Sequence, residues 1–144
     1  MSYFLQAIAG TNASTPDVSV GLTLIKLTED VWMAPLSSDV RDRYGIALLP
    51  FDDGDCDEVP DALNTLCCAS SQHGLTAYLE AAFWGGEGIQ ASVLFKNGAA
   101  IERPVIARDA INRALRLLGI AASGGRDEFA TVDLGRYRET DKWV

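Results

Sequence analysis

The chain is short of the residues from which most familiar active sites are assembled. Its 144 residues hold a single histidine, His73, and three cysteines, Cys56, Cys67 and Cys68. An odd count with two adjacent thiols offers no disulfide framework of the kind small secreted domains rely on, so a reducing, cytoplasmic setting is expected. There is no Cys-x-x-Cys and no second histidine at ligand spacing, so zinc is disfavoured; no metal and no other cofactor are expected. A Ser-His-Asp or Cys-His device would have to use His73, which falls at the end of a predicted helix, where an imidazolium suits the helix dipole. Positive charge is also scarce: 12 Lys and Arg stand against 20 Asp and Glu, giving a net charge of −8 and a pI near 4.5. That balance opposes nucleic acid and anionic membrane as partners and favours a basic protein surface. No apolar run approaches the roughly 20 residues that a bilayer requires. The opening stretch MSYFLQAIAG lacks the basic flank and long apolar centre of a secretion signal, so export is not expected. Fixed-period repeats and low-complexity tracts are absent too, which argues against a solenoid.

What is present is an ordinary globular composition, 48% hydrophobic and 22% charged. A chain of this length buries about two-thirds of its extended surface in one core, and one domain over residues 1–144 is expected. Tyr3 to Ile8 reads as a short edge element, followed by a polar loop from Gly10 to Pro16. Between Val18 and Thr28 the apolar residues Val18, Val20, Leu22 and Leu24 alternate and then slip phase at Ile25 and Leu27, as in a bulged strand; a helix remains the alternative. Val31–Leu36 and Gly45–Phe51 are short apolar runs separated by SSDVRDRY, a pattern that predicts an antiparallel hairpin.

Pro60 and Asp61 open a helix with Leu63, Leu66, Cys67 and Ser70 on one face and Gly74 as its stop. Three strands follow, over Leu75–Phe83, Gly88–Phe95 and Ala99–Val105. Asn97-Gly98 supplies the positive φ angles of a type I′ hairpin turn. Asp109 is placed to cap a second helix whose apolar face is Ile111, Ala114, Leu115 and Leu118, with Asn112, Arg113 and Arg116 outward and Gly119 as terminator. The aromatic residues Phe129, Tyr137 and Trp143 predict a tail that docks on the domain. The fold class is therefore α+β, a mainly antiparallel sheet packed with two main helices.

Two segments stand out as candidate sites. Asp52, Asp53, Asp55, Asp57 and Glu58 place five carboxylates within seven residues, as a solvated connector or a recognition loop. Calcium is disfavoured there because Gly54 sits at the wrong offset for a calcium loop. The turn Trp84-Gly85-Gly86-Glu87-Gly88 carries more glycine than a reversal needs, and binding through Trp84, Glu87 and Gln90 would account for it. A strand rather than a helix follows this turn, so a phosphate cradle is not expected. Glu80 and Glu87 form a carboxylate pair able to share acid and base roles if they converge in a pocket.

The segments AYLEAAFWGGEGIQASVLF, DAINRALRLLGI and DEFATVDLGRYRETDKW resemble small bacterial proteins with the order strand, glycine turn, strand, helix and aromatic-basic tail. Proteins of this size and acidity resemble the cytoplasmic immunity proteins that neutralise polymorphic or contact-dependent toxins. The likeness covers the second half of the chain and transfers no active-site residue. It implies a non-enzymatic binding protein whose partner is a cognate protein toxin, a basic one such as a nuclease, silenced by masking of its active site. The alternative is a small hydrolase or ligand-binding domain using Glu80, Glu87 and Gln90 near the glycine turn. A homodimer formed through exposed edge strands is a third reading.

Overall fold

Two ten-residue strands, β1 (Ser2–Thr11) and β4 (Leu75–Trp84), lie side by side through the middle of the molecule, paired antiparallel from Ser2 opposite Trp84 to Gly10 opposite Thr76. The computed structural model describes residues 2–12, 21–52, 57–84 and 87–144. Flanking the central pair are β2 (Ile25–Lys26), β3 (Val31–Pro35), β5 (Glu87–Lys96), β6 (Ala99–Ala100) and β7 (Val105–Ile106). The seven strands form one antiparallel sheet in the order β2-β3-β1-β4-β5-β6, with β7 also pairing with β5. Among the described residues no helix is long and apolar enough to cross a membrane.

Both faces of this sheet are covered, which is uncommon for an antiparallel sheet and explains the weak alternation of its central strands. On one face Leu5, Ala7, Ala9, Leu79 and Ala81 meet Ile111, Ala114 and Leu115 of helix α3 (Ala110–Leu117), together with Leu134 and Trp143 of the tail. On the other, Ile8, Trp32, Tyr78, Val93 and Phe95 meet Leu63, Leu66 and Cys67 of helix α2 (Asp61–Ser70) and Phe51. Alanines at positions 7, 9, 77, 81 and 82 leave room for the covering layers to approach the strands.

The helix faces and the Asn97-Gly98 turn are as expected, with φ of 54° and 83° at the two turn residues. Four expectations are corrected. The Tyr3–Ile8 segment is not at the edge but belongs to β1, at the centre of the sheet. Of the predicted Val18–Thr28 strand, the described part, 21–28, pairs only at Ile25–Lys26, and residues 18–20 lie outside the described residues. The Ala99–Val105 strand is interrupted, so that only Ala99–Ala100 and Val105–Ile106 pair with β5. The predicted hairpin of Val31–Leu36 with Gly45–Phe51 does not form, because SSDVRDRY is a helix, α1 (Ser38–Tyr44). Ser37 accepts the Val40 N–H through its side chain and Gly45 closes the helix in the left-handed region at φ 70°. Residues 45–51 then run as an irregular loop.

The tail docks as its aromatic residues suggested. It begins with α4 (Glu128–Thr131) and ends in two 3-10 turns, Leu134–Arg136 and Thr140–Trp143. It covers the part of β1 that β3 does not reach: Phe4 N–H donates to Arg138 O at 2.7 Å, and Gln6 N–H to Thr140 Oγ1 at 3.0 Å. Asp141 then ties the tail to the start of α1, accepting from Ser38 N–H and Ser38 Oγ, each at 2.8 Å.

Those two bonds hold the Asp141 carboxyl below its ordinary value, with Arg41 adding to the effect. A depressed folded-state pKa stabilises the fold above the unfolded-state value, and the benefit is lost as pH falls through the folded-state value. Asp141→Asn is therefore expected to melt below the unaltered protein near neutral pH, with the gap closing under acid conditions. Thermal unfolding of both proteins across pH 2.5 to 7 checks it; a gap independent of pH would show that the Asp141 charge contributes nothing.

Candidate functional site

The apolar runs FLQAIA and YLEAAF each carry one polar residue at the middle, and the register places these two, Gln6 and Glu80, directly opposite each other. Both are fully buried and on the same face. A buried amide or carboxylate must find partners, and both find them in the loop after α1. Gln6 Nε2 donates to Ala47 O at 3.0 Å, and Gln6 Oε1 accepts from Leu49 N–H at 3.3 Å. Glu80 Oε2 accepts from Phe51 N–H at 3.0 Å, while its Oε1 accepts from the Tyr78 hydroxyl at 2.7 Å. Burial, and next the Glu80 charge, push the Tyr78 phenol well above its ordinary value, so it stays a donor. Side chains of the sheet thus do for residues 47–51 what a neighbouring strand would have done. Leu49 is held at a positive φ of 45° within this loop.

The clamped loop is one wall of a cleft of about 380 Å3, lined by Phe4, Arg41, Leu48, Leu49, Asp52, Trp84, Glu139, Thr140 and Asp141. The cleft exists because the sheet outruns its cover: α2 covers Tyr78 and Val93, the loop covers Gln6 and Glu80, and the strand ends at Phe4 and Trp84 project past both. Trp84 is 61% exposed and Leu48 63% exposed. Trp84 stands edge-on to Phe4, with ring centroids 4.8 Å apart. The apolar walls are rimmed by charge. Arg41 Nη1 donates to Leu36 O at 2.7 Å, and Asp141 is bound to Ser38. Asp52 and Glu139 are exposed and in no ion pair among the described residues.

The structure brings together two of the predicted site residues from different segments, Asp52 of the acidic loop and Trp84 of the glycine turn. Asp57 and Glu58 lie elsewhere, lining a more polar cleft with Asn64, Glu102 and Arg103. Asp53 and Asp55 fall outside the described residues, as do Gly85 and Gly86. Glu87 opposes Trp84 across the hairpin.

Two expectations are corrected. Gln90 is not a surface contact: it faces the opposite side of the sheet, where its Oε1 accepts the Ile111 N–H at 3.0 Å and caps α3 in place of Asp109, whose side chain makes no capping bond. The carboxylate pocket of Glu80 with Gln90 does not form, because adjacent register positions send them to opposite faces and Glu80 is sealed beneath Phe51. At Gly88 the close approach comes from within the chain, since a Cβ there would run into the Phe83 ring and the Ala82 carbonyl. His73 is exposed in the turn after α2, and Cys67 is a buried core residue whose thiol is pushed up by burial, then by Cys68.

Sequence reasoning missed Phe4, Arg41, Leu48, Glu139 and Asp141. The usable signal was Gln6 and Glu80, polar residues interrupting apolar strands. Comparison of the chain with protein-family models, with curated proteins and with solved structures yields no match.

Glu80→Ala leaves the Phe51 N–H and the Tyr78 O–H without their acceptor, and is expected to cost roughly 2–6 kcal/mol at about 1–3 for each buried group left unpaired. It should also speed amide exchange at Leu49 and Phe51 more than at Leu79; denaturant unfolding and hydrogen exchange test the two effects. Gln90→Ala, by contrast, is expected to cost about 1 kcal/mol as a lost helix cap and to leave exchange in the 47–51 loop unchanged.

Proposed function

We propose that this chain is a binding protein of the immunity type, which docks on a cognate toxin and masks its active site. The observation that carries the reading is the pair Trp84 and Leu48, two large apolar side chains left mostly exposed on either side of one cleft. Isolated exposed apolar residues are ordinary; two that converge on a cleft with a charged rim have the composition of an interface centre. The wall bearing Leu48 is hydrogen-bonded to the sheet beneath it, so docking there orders little chain and loses little affinity to entropy. The acidic surplus, with Asp52 on the cleft and Asp57 and Glu58 nearby in sequence, suits a basic partner and speeds encounter with it. Steric cover of a basic active site, such as that of a nuclease, is the mechanism that these features support.

The test is retention of a partner from the native cells at low salt by the intact chain and by Trp84→Ala. Leu117→Ala, altered at an exposed leucine of α3 across the sheet, is the control. The expected result is one stoichiometric protein, toxic when produced alone, held by the intact chain and by Leu117→Ala. Trp84→Ala should bind it roughly 30-fold more weakly, as truncation of an interface hot spot does. A partner held equally by all three would remove this cleft from the mechanism, and a partner harmless on its own would remove the immunity reading.

A further inference from the structure

The cleft has a composition more specific than a general docking face. Its walls are apolar, Phe4, Leu48 and Trp84, yet two exposed carboxylates border them, Asp52 from the loop and Glu139 from the tail. The other two charges on the rim are already committed. Arg41 is anchored to the Leu36 carbonyl and favours the ionised form of Asp141, which in turn is held by Ser38. Asp52 and Glu139 have no such counterpart among the described ion pairs.

A purely aliphatic side chain entering this cleft would strip water from two carboxylates and return nothing to them. An acidic segment or a nucleic acid would be repelled. A side chain with an apolar stem and a cationic head meets both demands, because its methylenes lie along apolar surface while the head reaches the carboxylates. Arginine fits better than lysine: its planar fork reaches two acceptors at once, and its weakly hydrated cation rests well against an exposed indole such as Trp84. Resting on the docking role proposed above, we infer that the cleft receives an arginine of the partner protein, its stem between Leu48 and Trp84 and its guanidinium shared by Asp52 and Glu139.

Panning of a random peptide library against the intact chain, with Trp84→Ala protein as competitor, tests this without knowledge of the partner. The peptides that survive competition are expected to carry arginine beside an aliphatic residue. A synthetic peptide of the selected sequence should bind about tenfold more weakly to the double variant Asp52→Asn, Glu139→Gln. Replacing its arginine by citrulline should cost a similar factor, and the two losses combined should fall short of their product because both remove one interaction. Trp84-dependent peptides without a basic residue would overturn the arginine assignment and leave the docking role standing. Association of the chain with itself that Trp84→Ala abolishes would assign the cleft to a second copy and overturn it equally. If no peptide shows dependence on Trp84, the cleft is not a docking site, and the assignment and the docking role fall together.

Discussion

The arrangement of this protein depends on two polar side chains buried opposite each other at the centre of its sheet. Gln6 and Glu80 cannot stay in an apolar interior without partners, and they take them from the backbone of residues 47–51. One constraint therefore settles several features. It fixes the path of a loop that has no ladder of its own, brings Phe51 down onto Tyr78 with ring centroids 6.0 Å apart, and leaves Leu48 facing outward. An apolar residue in place of Glu80 would leave the buried Phe51 N–H without an acceptor, a penalty that the satisfied carboxylate avoids. Satisfaction has to be complete for such a network to help. Glu80 itself is fully buried, with one carboxylate oxygen held by the Phe51 N–H and the other by the Tyr78 hydroxyl.

The tail obeys the same rule by different means. Beyond Ala7, where the pairing of β1 with β3 stops, β1 would present an open edge. Residues 138 to 140 close it with three hydrogen bonds, and Asp141 fastens the segment to α1. At the far side Glu102 performs a similar service for β5: it accepts the Leu94 N–H at 3.2 Å and holds Arg113 in a two-pronged ion pair. Open edges invite pairing with other chains, and at these two places side chains and the tail take the groups that would offer it.

How far the sequence disclosed this architecture follows from the physics of each element. The α2 and α3 faces were legible because one side of each helix meets the sheet and the other meets water, so the apolar residues recur at helical spacing. The Asn97-Gly98 turn was legible because its backbone angles restrict residue choice. The role of β1 was not, since a strand buried on both faces loses its alternation and a run such as FLQAIAG looks the same at an edge or in the middle. The 45–51 segment was misread for a related reason. It is as apolar as a strand, but its hydrogen bonds come from two side chains far away in the chain, and local pattern carries no trace of that. Of the candidate site, Asp52 and Trp84 were visible singly; their meeting, and the part played by Phe4, Leu48 and Glu139, depend on the crossing of segments that only the fold brings together.

The charge and the cleft act at different ranges, and that separation bears on the proposed role. Unpaired surface carboxylates act over roughly a Debye length, about 8 Å at physiological ionic strength, and so bear on how often a basic partner arrives and how it is turned. Those outside the cleft add little to how long it stays, because exposed ion pairs are worth about 1 kcal/mol or less. Residence has to come from contact that excludes water, and within this cleft the apolar part of that surface is concentrated in Trp84, Leu48 and Phe4. Both terms meet at one spot because the loop that carries Leu48 also carries Asp52, and the loop is placed by Gln6 and Glu80. A chain lacking that clamp would keep its acidity and its attraction at a distance. It would lose the fixed spacing between Leu48 and Trp84, and with it the means to tell one basic surface from another.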